Sequence, residues 1–311
     1  MSHSPARRTL SLAARSLFPN TMFEGAHTAL VTPFRNDAFD EGAFATLIES
    51  QIAQGISGIV PVGTTGESPT LDHDEHHRVI EVAVSTANHR CLVIAGTGSN
   101  STREAVQLTR GAEAIGADAC LLVAPYYNKP SQEGLYRHFC EIARAVSIPC
   151  MLYSIPGRCG IEIGVDTVAR LASDCSNIVA IKEAGGSVER VNQLRAALAD
   201  AFEILSGDDS LTLPFLAAGA VGVVSVASNL IPREVSNLVA AWRSGDIAGA
   251  QRIHQKYYAL FKDLFIEPNP VPAKYALHRA GLMSGDVRLP LCEMAPASCE
   301  KLAATLESCG L

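Results

Sequence analysis

From residue 22 onward the chain alternates between two hydrophobic rhythms. Short apolar runs fall at 26–31, 57–62, 91–95, 119–124, 149–153, 178–182, 203–206 and 221–226. Runs of this length, several apolar throughout and rich in β-branched residues, read as strands of a parallel sheet covered on both faces. Between them, helical patterns occupy 41–54, 73–88, 102–115, 132–145, 165–173, 187–199 and 210–218. Ser101 and Glu104 carry the spacing of a capping box, and Asp72 stands where the helix at 73–88 needs its N-cap. Most strand-to-strand intervals are about 25–35 residues, enough for one strand and one crossover helix.

Strands alternating with helices place the chain in the α/β class. Eight strand-like runs favour a (β/α)8 TIM barrel over a doubly wound sheet. The barrel is expected over residues 22–245 and a small C-terminal helical domain over 246–311, where helical periodicity continues without strands. Residues 1–21 stand apart. Arg7, Arg8 and Arg15 occur among serines with no acid before Glu24, the composition of a plastid-type transit peptide or of a dispensable extension. The segment has no continuous apolar core, which argues against a secretory signal.

In a barrel the segments after the strands gather on one face, where such folds build their active sites. GTTGES follows the second strand, GTGSN the third, PYYNKP the fourth and YSIPGR the fifth. Lys182 ends the sixth. A lysine at that mouth suits imine formation with a carbonyl substrate, provided burial lowers its pKa from about 10.4. Tyr153, Tyr127, Thr64 and Thr65 would stand near it with hydroxyls for proton transfer. The turn Gly63–Glu67 can aim backbone amides at a small carboxylate, although a plain strand–helix turn has the same pattern. Arg158 offers a fork for a second carboxylate, or is a solvated loop residue.

Composition narrows the partners. The 311 residues are 48% hydrophobic and 18% charged, with a formal net charge of -7, so nucleic acid is not expected as a partner. No apolar run approaches about 18 residues, so no membrane span is expected. The nine cysteines are odd in number and lack C-x-x-C spacing, which suits reduced thiols and a cytoplasmic location. The run Asp72–His77 lacks metal-site spacing and reads as a polar helix face, so no metal is expected.

VGTTGES, IAGTGSN, PYYNKPSQEGLY, YSIPGR, IKEAGG, LSGDD and FIEPNPVPAK together resemble the dihydrodipicolinate synthase family of N-acetylneuraminate lyase-type class I aldolases. The resemblance covers about residues 22–311. It implies condensation of pyruvate with L-aspartate 4-semialdehyde, the first committed step of lysine biosynthesis by the diaminopimelate route, without a cofactor. Lys182 would form the imine, and Thr64, Tyr127 and Tyr153 the proton relay, with Tyr127 supplied by a neighbouring subunit of a homotetramer. Thr64 and Thr65 would hold the pyruvate carboxylate, and Arg158 that of the semialdehyde. Gly207 and Val224 would line the pocket.

The resemblance also implies a feedback site for L-lysine at Ser68, His73, His76, Asn100, Glu104 and Tyr126. Pro69 departs there from the alanine that inhibited members often carry. Ser154 and Cys159 depart from the family's usual Asn and Thr beside the relay, and Val224 from a common Ile. The alternatives are cleavage of a sialic acid or a 2-keto-3-deoxy sugar acid by the same kind of lysine, and a non-catalytic regulatory barrel. Arg158 and the paired threonines argue against the first; the intact nucleophile and relay argue against the second.

Overall fold

A computed structural model describes residues 21–311, so the expectation for residues 1–21 lies outside the described residues except at Thr21. Eight strands, β1 (Gly25–Ala29), β2 (Gly58–Val60), β3 (Leu92–Gly96), β4 (Ala119–Val123), β5 (Cys150–Ser154), β6 (Ile178–Glu183), β7 (Glu203–Ser206) and β8 (Gly222–Ser225), form a closed parallel barrel. Their bounds lie within two residues of those expected from the pattern. The barrel helices are α1 (Glu41–Ala53), α2 (His73–Ala87), α3 (Thr102–Ile115), α4 (Gln132–Ala143), α5 (Val165–Asp174), α6 (Val188–Ala197), α7 (Thr212–Ala217) and α8 (Pro232–Arg243). The pattern reading missed α8. It opens on Pro232 with no side-chain cap, so its start resembles a break, although proline fits the first helical turn.

Apolar side chains fill the barrel on both sides of its wall. Phe23, Val60, Ile94, Leu121, Met151 and Leu205 belong to one cluster in the lumen. At its N-terminal end Glu203 accepts hydrogen bonds from the Met22 and Phe23 amides at 3.0 and 2.8 Å. The outer faces of the strands pack on the helices. Cys150, Leu152, Ile178 and Ile181 belong to that outer layer, whereas Met151, Tyr153 and Ala180 belong to the lumen.

A register slip in β6 makes this sorting work. Cys150 pairs with Ile178, but the next residue, Met151, pairs with Ala180, so Val179 is an extra residue. Without the slip, Ile178 and Lys182 would share a face because side chains alternate with period two. With it, Ile178 stays outside and Lys182 pairs with lumen-facing Tyr153.

Helices α9 (Ile247–Asp263), α10 (Val271–Arg279) and α11 (Pro296–Cys309) complete the chain. Their Leu260, Phe261, Leu277 and Leu306 share an apolar cluster with Leu30 and Phe44 of the barrel region. The two parts therefore bury a common core. No helix of the described residues is long and apolar enough to cross a membrane.

Asp72 and Ser101 cap α2 and α3 as expected, accepting from the Glu75 and Glu104 amides at 2.8 and 3.4 Å. The reciprocal half of the Ser101–Glu104 box is not made. The Glu104 carboxylate is bound instead by the Ser99 hydroxyl and by His73 Nε2, so the site takes it from the helix end.

Candidate active site at the barrel mouth

Lys182 ends β6 facing inward and is 6% exposed. Its Nζ lies 4.2 Å from the centroid of the Tyr153 ring, its register partner on β5. Burial holds the amine down at about 7; the nearby Asp209 charge opposes this and Arg158 adds to it. Asp209 is itself buried and fixed by Ser225 Oγ at 2.5 Å and the Val226 and Ala227 amides at 2.9 and 3.0 Å. A Cβ on Gly207 would meet Ala184 Cβ at 2.6 Å and Lys182 Cε at 3.1 Å, so the glycine makes room for the lysine stem.

The next residue, Glu183, is held by Arg190 Nε at 2.7 Å and the Gly185 amide at 2.6 Å. Lys182 and Glu183 thus present polar groups to opposite faces. That is why this apolar strand ends in charge rather than in a turn residue.

Tyr153 is 5% exposed, and burial pushes its hydroxyl up to about 12 against the Arg158 charge and a hydrogen bond with Thr64. It stays protonated near neutral pH. In the turn after β2, the Gly66 and Ser68 amides donate to Gly63 O and the Glu67 amide to Thr64 O. Those three amides are used within the turn.

The C-terminal helical part supports this turn. Buried Glu67, at φ +54°, forms an ion pair with Lys274 of α10, and the Arg288 amide donates to Glu67 Oε2 at 3.1 Å. Lys274 Nζ also donates to Asp286 O at 2.9 Å and sits 4.2 Å from the Phe34 ring centroid. From the loop between α9 and α10, Asn269 Nδ2 donates to Thr65 Oγ1 at 2.9 Å, while Arg158 Nη2 donates to Asn269 O at 3.1 Å. Sequence reading did not find Asp209, Asn269, Glu67 or Lys274 as site residues. The first lay in the SGDD run and the others in GTTGES and FIEPNPVPAK, without any local signal of their partners.

A cavity of about 400 Å³ is lined by Thr64, Tyr153 and Arg158, and also by Ser68, His73, His76, Glu104 and Tyr126. Three residues expected at the substrate site and five expected at the lysine site therefore border one space. Asn100 supports its rim by donating to Tyr126 O at 3.3 Å. His73 Nε2 lies 2.9 Å from Glu104 Oε1, and hydrogen bonds with Ser99 and His73 hold the Glu104 carboxyl below its usual range. Burial holds His76 down at about 4, so it is neutral at pH 7; its Nε2 bonds Gly96 O at 2.9 Å. In the Asp72–His77 run, Asp72 caps α2 while Glu75 pairs with Arg288.

Lys182, Thr65, Gly207 and Val224 do not line this cavity; Lys182 meets it through the Tyr153 ring, and Val224 lies in the lumen cluster. Tyr127 does not line it either. It is 90% exposed with φ +74°, uncommon for a bulky residue. Ser154 faces the outer layer beside Glu183 and its buried hydroxyl has no hydrogen-bond partner among the described residues. Cys159 lines the cavity, its thiol pushed up to about 11 by burial.

The chain matches the model of the dihydrodipicolinate synthetase family over residues 22–309. It is 51% identical over 290 residues to the 4-hydroxy-tetrahydrodipicolinate synthase of Thermodesulfovibrio yellowstonii, covering 93% of this chain and 99% of that protein. The solved 4-hydroxy-tetrahydrodipicolinate synthase of Methylacidiphilum fumariolicum superposes with a TM-score of 0.92 at 55% identity, over 92% of this chain and 96% of that one. The lysine-bound enzyme of Cyanidioschyzon merolae gives 0.91 at 42% identity, over 94% and 100% of the two chains. The pyruvate complex from Acinetobacter baumannii gives 0.90 at 44%, over 92% and 99%.

Proposed function

Because the chain belongs to the dihydrodipicolinate synthetase family, we propose that its barrel mouth joins pyruvate to L-aspartate 4-semialdehyde through an imine on Lys182. Its activity is that of a 4-hydroxy-tetrahydrodipicolinate synthase, a lyase of lysine biosynthesis by the diaminopimelate route. The observation that carries the residue assignment is the buried Lys182 amine, held near neutrality beside a protonated Tyr153.

The neutral amine attacks the pyruvate carbonyl and water leaves, giving an iminium whose charge the Tyr153 ring face favours. Loss of a methyl proton gives an enamine, whose carbon attacks the aldehyde of the second substrate. The semialdehyde's own amine then displaces Lys182 and closes the ring. Each step moves a proton, and Tyr153, Thr64 and Tyr127 are the proposed carriers. Thr64 and Thr65 hold the pyruvate carboxylate, and Arg158 holds that of the semialdehyde. Gly207 gives Lys182 its room, and Val224 packs the lumen side.

Tyr127 is assigned to a neighbouring subunit's relay, its exposure supporting a role in contact with another copy, and the assembly is a homotetramer. L-lysine is the proposed feedback ligand, with its ammonium at Glu104. The division into a barrel at 22–245 and a helical domain at 246–311 is retained as a description of chain segments that share one core. The nine unbridged cysteines suit the reducing cytoplasm as location.

The test is incubation with pyruvate and L-aspartate 4-semialdehyde, coupled to a dihydrodipicolinate reductase. Reductase turnover that requires both substrates supports the reading. Turnover of sialic acid or a 2-keto-3-deoxy sugar acid in its place would overturn it.

A further inference from the structure

The loop between α9 and α10 reaches the barrel mouth through Asn269, which is 5% exposed. Its side-chain amide binds the Thr65 hydroxyl and its backbone carbonyl binds Arg158. One residue from outside the barrel thus ties together the groups assigned to the two substrate carboxylates. We propose that Asn269 is a positioning residue that aims the Thr65 hydroxyl proton at the pyruvate carboxylate. This rests on the function proposed above.

A threonine hydroxyl has one proton and two lone pairs. The Asn269 Nδ2–H fills a lone pair at 2.9 Å, so the Thr65 proton is left to point elsewhere. Thr65 is 3% exposed, so little water competes for that proton. Asn269 Oδ1 is buried without a hydrogen-bond partner among the described residues and does not receive it. The loop does not depend on this one contact. Five residues on, Lys274 holds Glu67 of the same turn.

The two contacts separate by chemistry. The amide acts on Thr65, whereas the Arg158 contact is made by backbone and survives side-chain replacement. Asn269→Leu also removes the unpartnered Oδ1, which offsets the lost bond to Thr65, so a role through Thr65 predicts little loss of stability, whereas a purely structural role predicts a fallen midpoint. A role through Thr65 predicts a selective loss for pyruvate.

The experiment compares wild type, Asn269→Leu, Asn269→Asp, Thr65→Val and the double variant Thr65→Val/Asn269→Leu. Coupled turnover, borohydride trapping of pyruvate and denaturation midpoints are measured for each. Asn269→Leu should raise the pyruvate KM about ten-fold, as loss of an oriented bond to a charged group implies. The semialdehyde KM should change less than about two-fold, with the midpoint unaltered. Asn269→Asp should be worse, since a carboxylate would take the Thr65 proton and repel the substrate. On the Thr65→Val background, Asn269→Leu should add nothing further.

An unchanged pyruvate KM in Asn269→Leu would overturn the inference, as would full additivity with Thr65→Val. So would parallel rises in both KM values with a fallen midpoint. If wild type traps pyruvate but makes no condensation product, the proposed function fails while the trapping series still decides Asn269. Absence of trapping in folded wild type overturns both.

Discussion

Lys182 and Tyr153 stand in register on adjacent strands, the amine nitrogen 4.2 Å from the ring centroid. The ring face favours a cation while burial disfavours one, and burial dominates, bringing the amine to about 7. The same pair can hold a neutral nucleophile before the reaction and a charged iminium after it. The ring is already in place for both.

The pH dependence follows from that pKa. A lowered lysine pKa means that the attacking, neutral form gains as pH rises through about 7. Imine formation with pyruvate should therefore climb between about pH 6 and 8 and then level off. Borohydride trapping of the Lys182 adduct across pH measures it. A rate still climbing steeply above pH 9 would refute a depressed lysine.

Arg158→Ala should raise the semialdehyde KM by about 10- to 100-fold while leaving pyruvate trapping largely intact. Its charge also helps hold Lys182 down, so the trapping inflection should move to higher pH. Equal losses for both substrates would remove Arg158 from the acceptor site.

Tyr127→Phe and Lys182→Ala, each inactive alone, should restore activity when their subunits exchange. In a mixed pair, the site that keeps Lys182 receives an intact Tyr127 from its neighbour. Native mass spectrometry can establish exchange. No recovery in mixed assemblies would place Tyr127 within its own subunit's chemistry.

L-lysine should inhibit the coupled reaction, and Glu104→Gln should abolish that response while sparing turnover in its absence. The carboxylate is held below its usual range by Ser99 and His73, so it remains charged through neutral and mildly acid pH. Titration calorimetry and inhibition curves measure both effects. A flat response to millimolar lysine would exclude a functional effector site.

Lys274→Met should destabilise the fold by about 3–5 kcal/mol, because it leaves the Glu67 carboxylate buried without its cation. Adding Glu67→Gln should recover part of that loss. Denaturant midpoints with matched slopes measure the difference. A loss below about 1 kcal/mol would make the pair equivalent to a surface contact.

The barrel was legible because its strands are nearly continuous apolar runs separated by helix-sized intervals. The mouth was legible because Lys182, Tyr153 and the Thr64–Thr65 turn all lie at or just past strand ends. Asn269 and Lys274 were not. Thr65 and Glu67, which they hold, stand more than 200 residues away in the chain, and neither periodicity nor spacing records such a contact. Glu104 misled in another way: its spacing from Ser101 fits a cap, but its carboxylate is bound by Ser99, just ahead of the helix, and by His73 of α2. The start of α8 was obscured by Pro232, a breaker in a helix interior but acceptable in the first turn.

The extra residue in β6 changes what it would take to move this chemistry to another barrel. Copying the lysine and its neighbours onto a regular strand would carry the residue types but not their phase. Counted forward from Ile178, the amine would emerge among the helices and its glutamate neighbour would enter the lumen. The transplantable unit is the segment from Ile178 to Glu183 together with its offset against β5. A graft that keeps Val179 without the offset must lose one residue elsewhere in the strand, or the nucleophile is delivered to the wrong side of the wall.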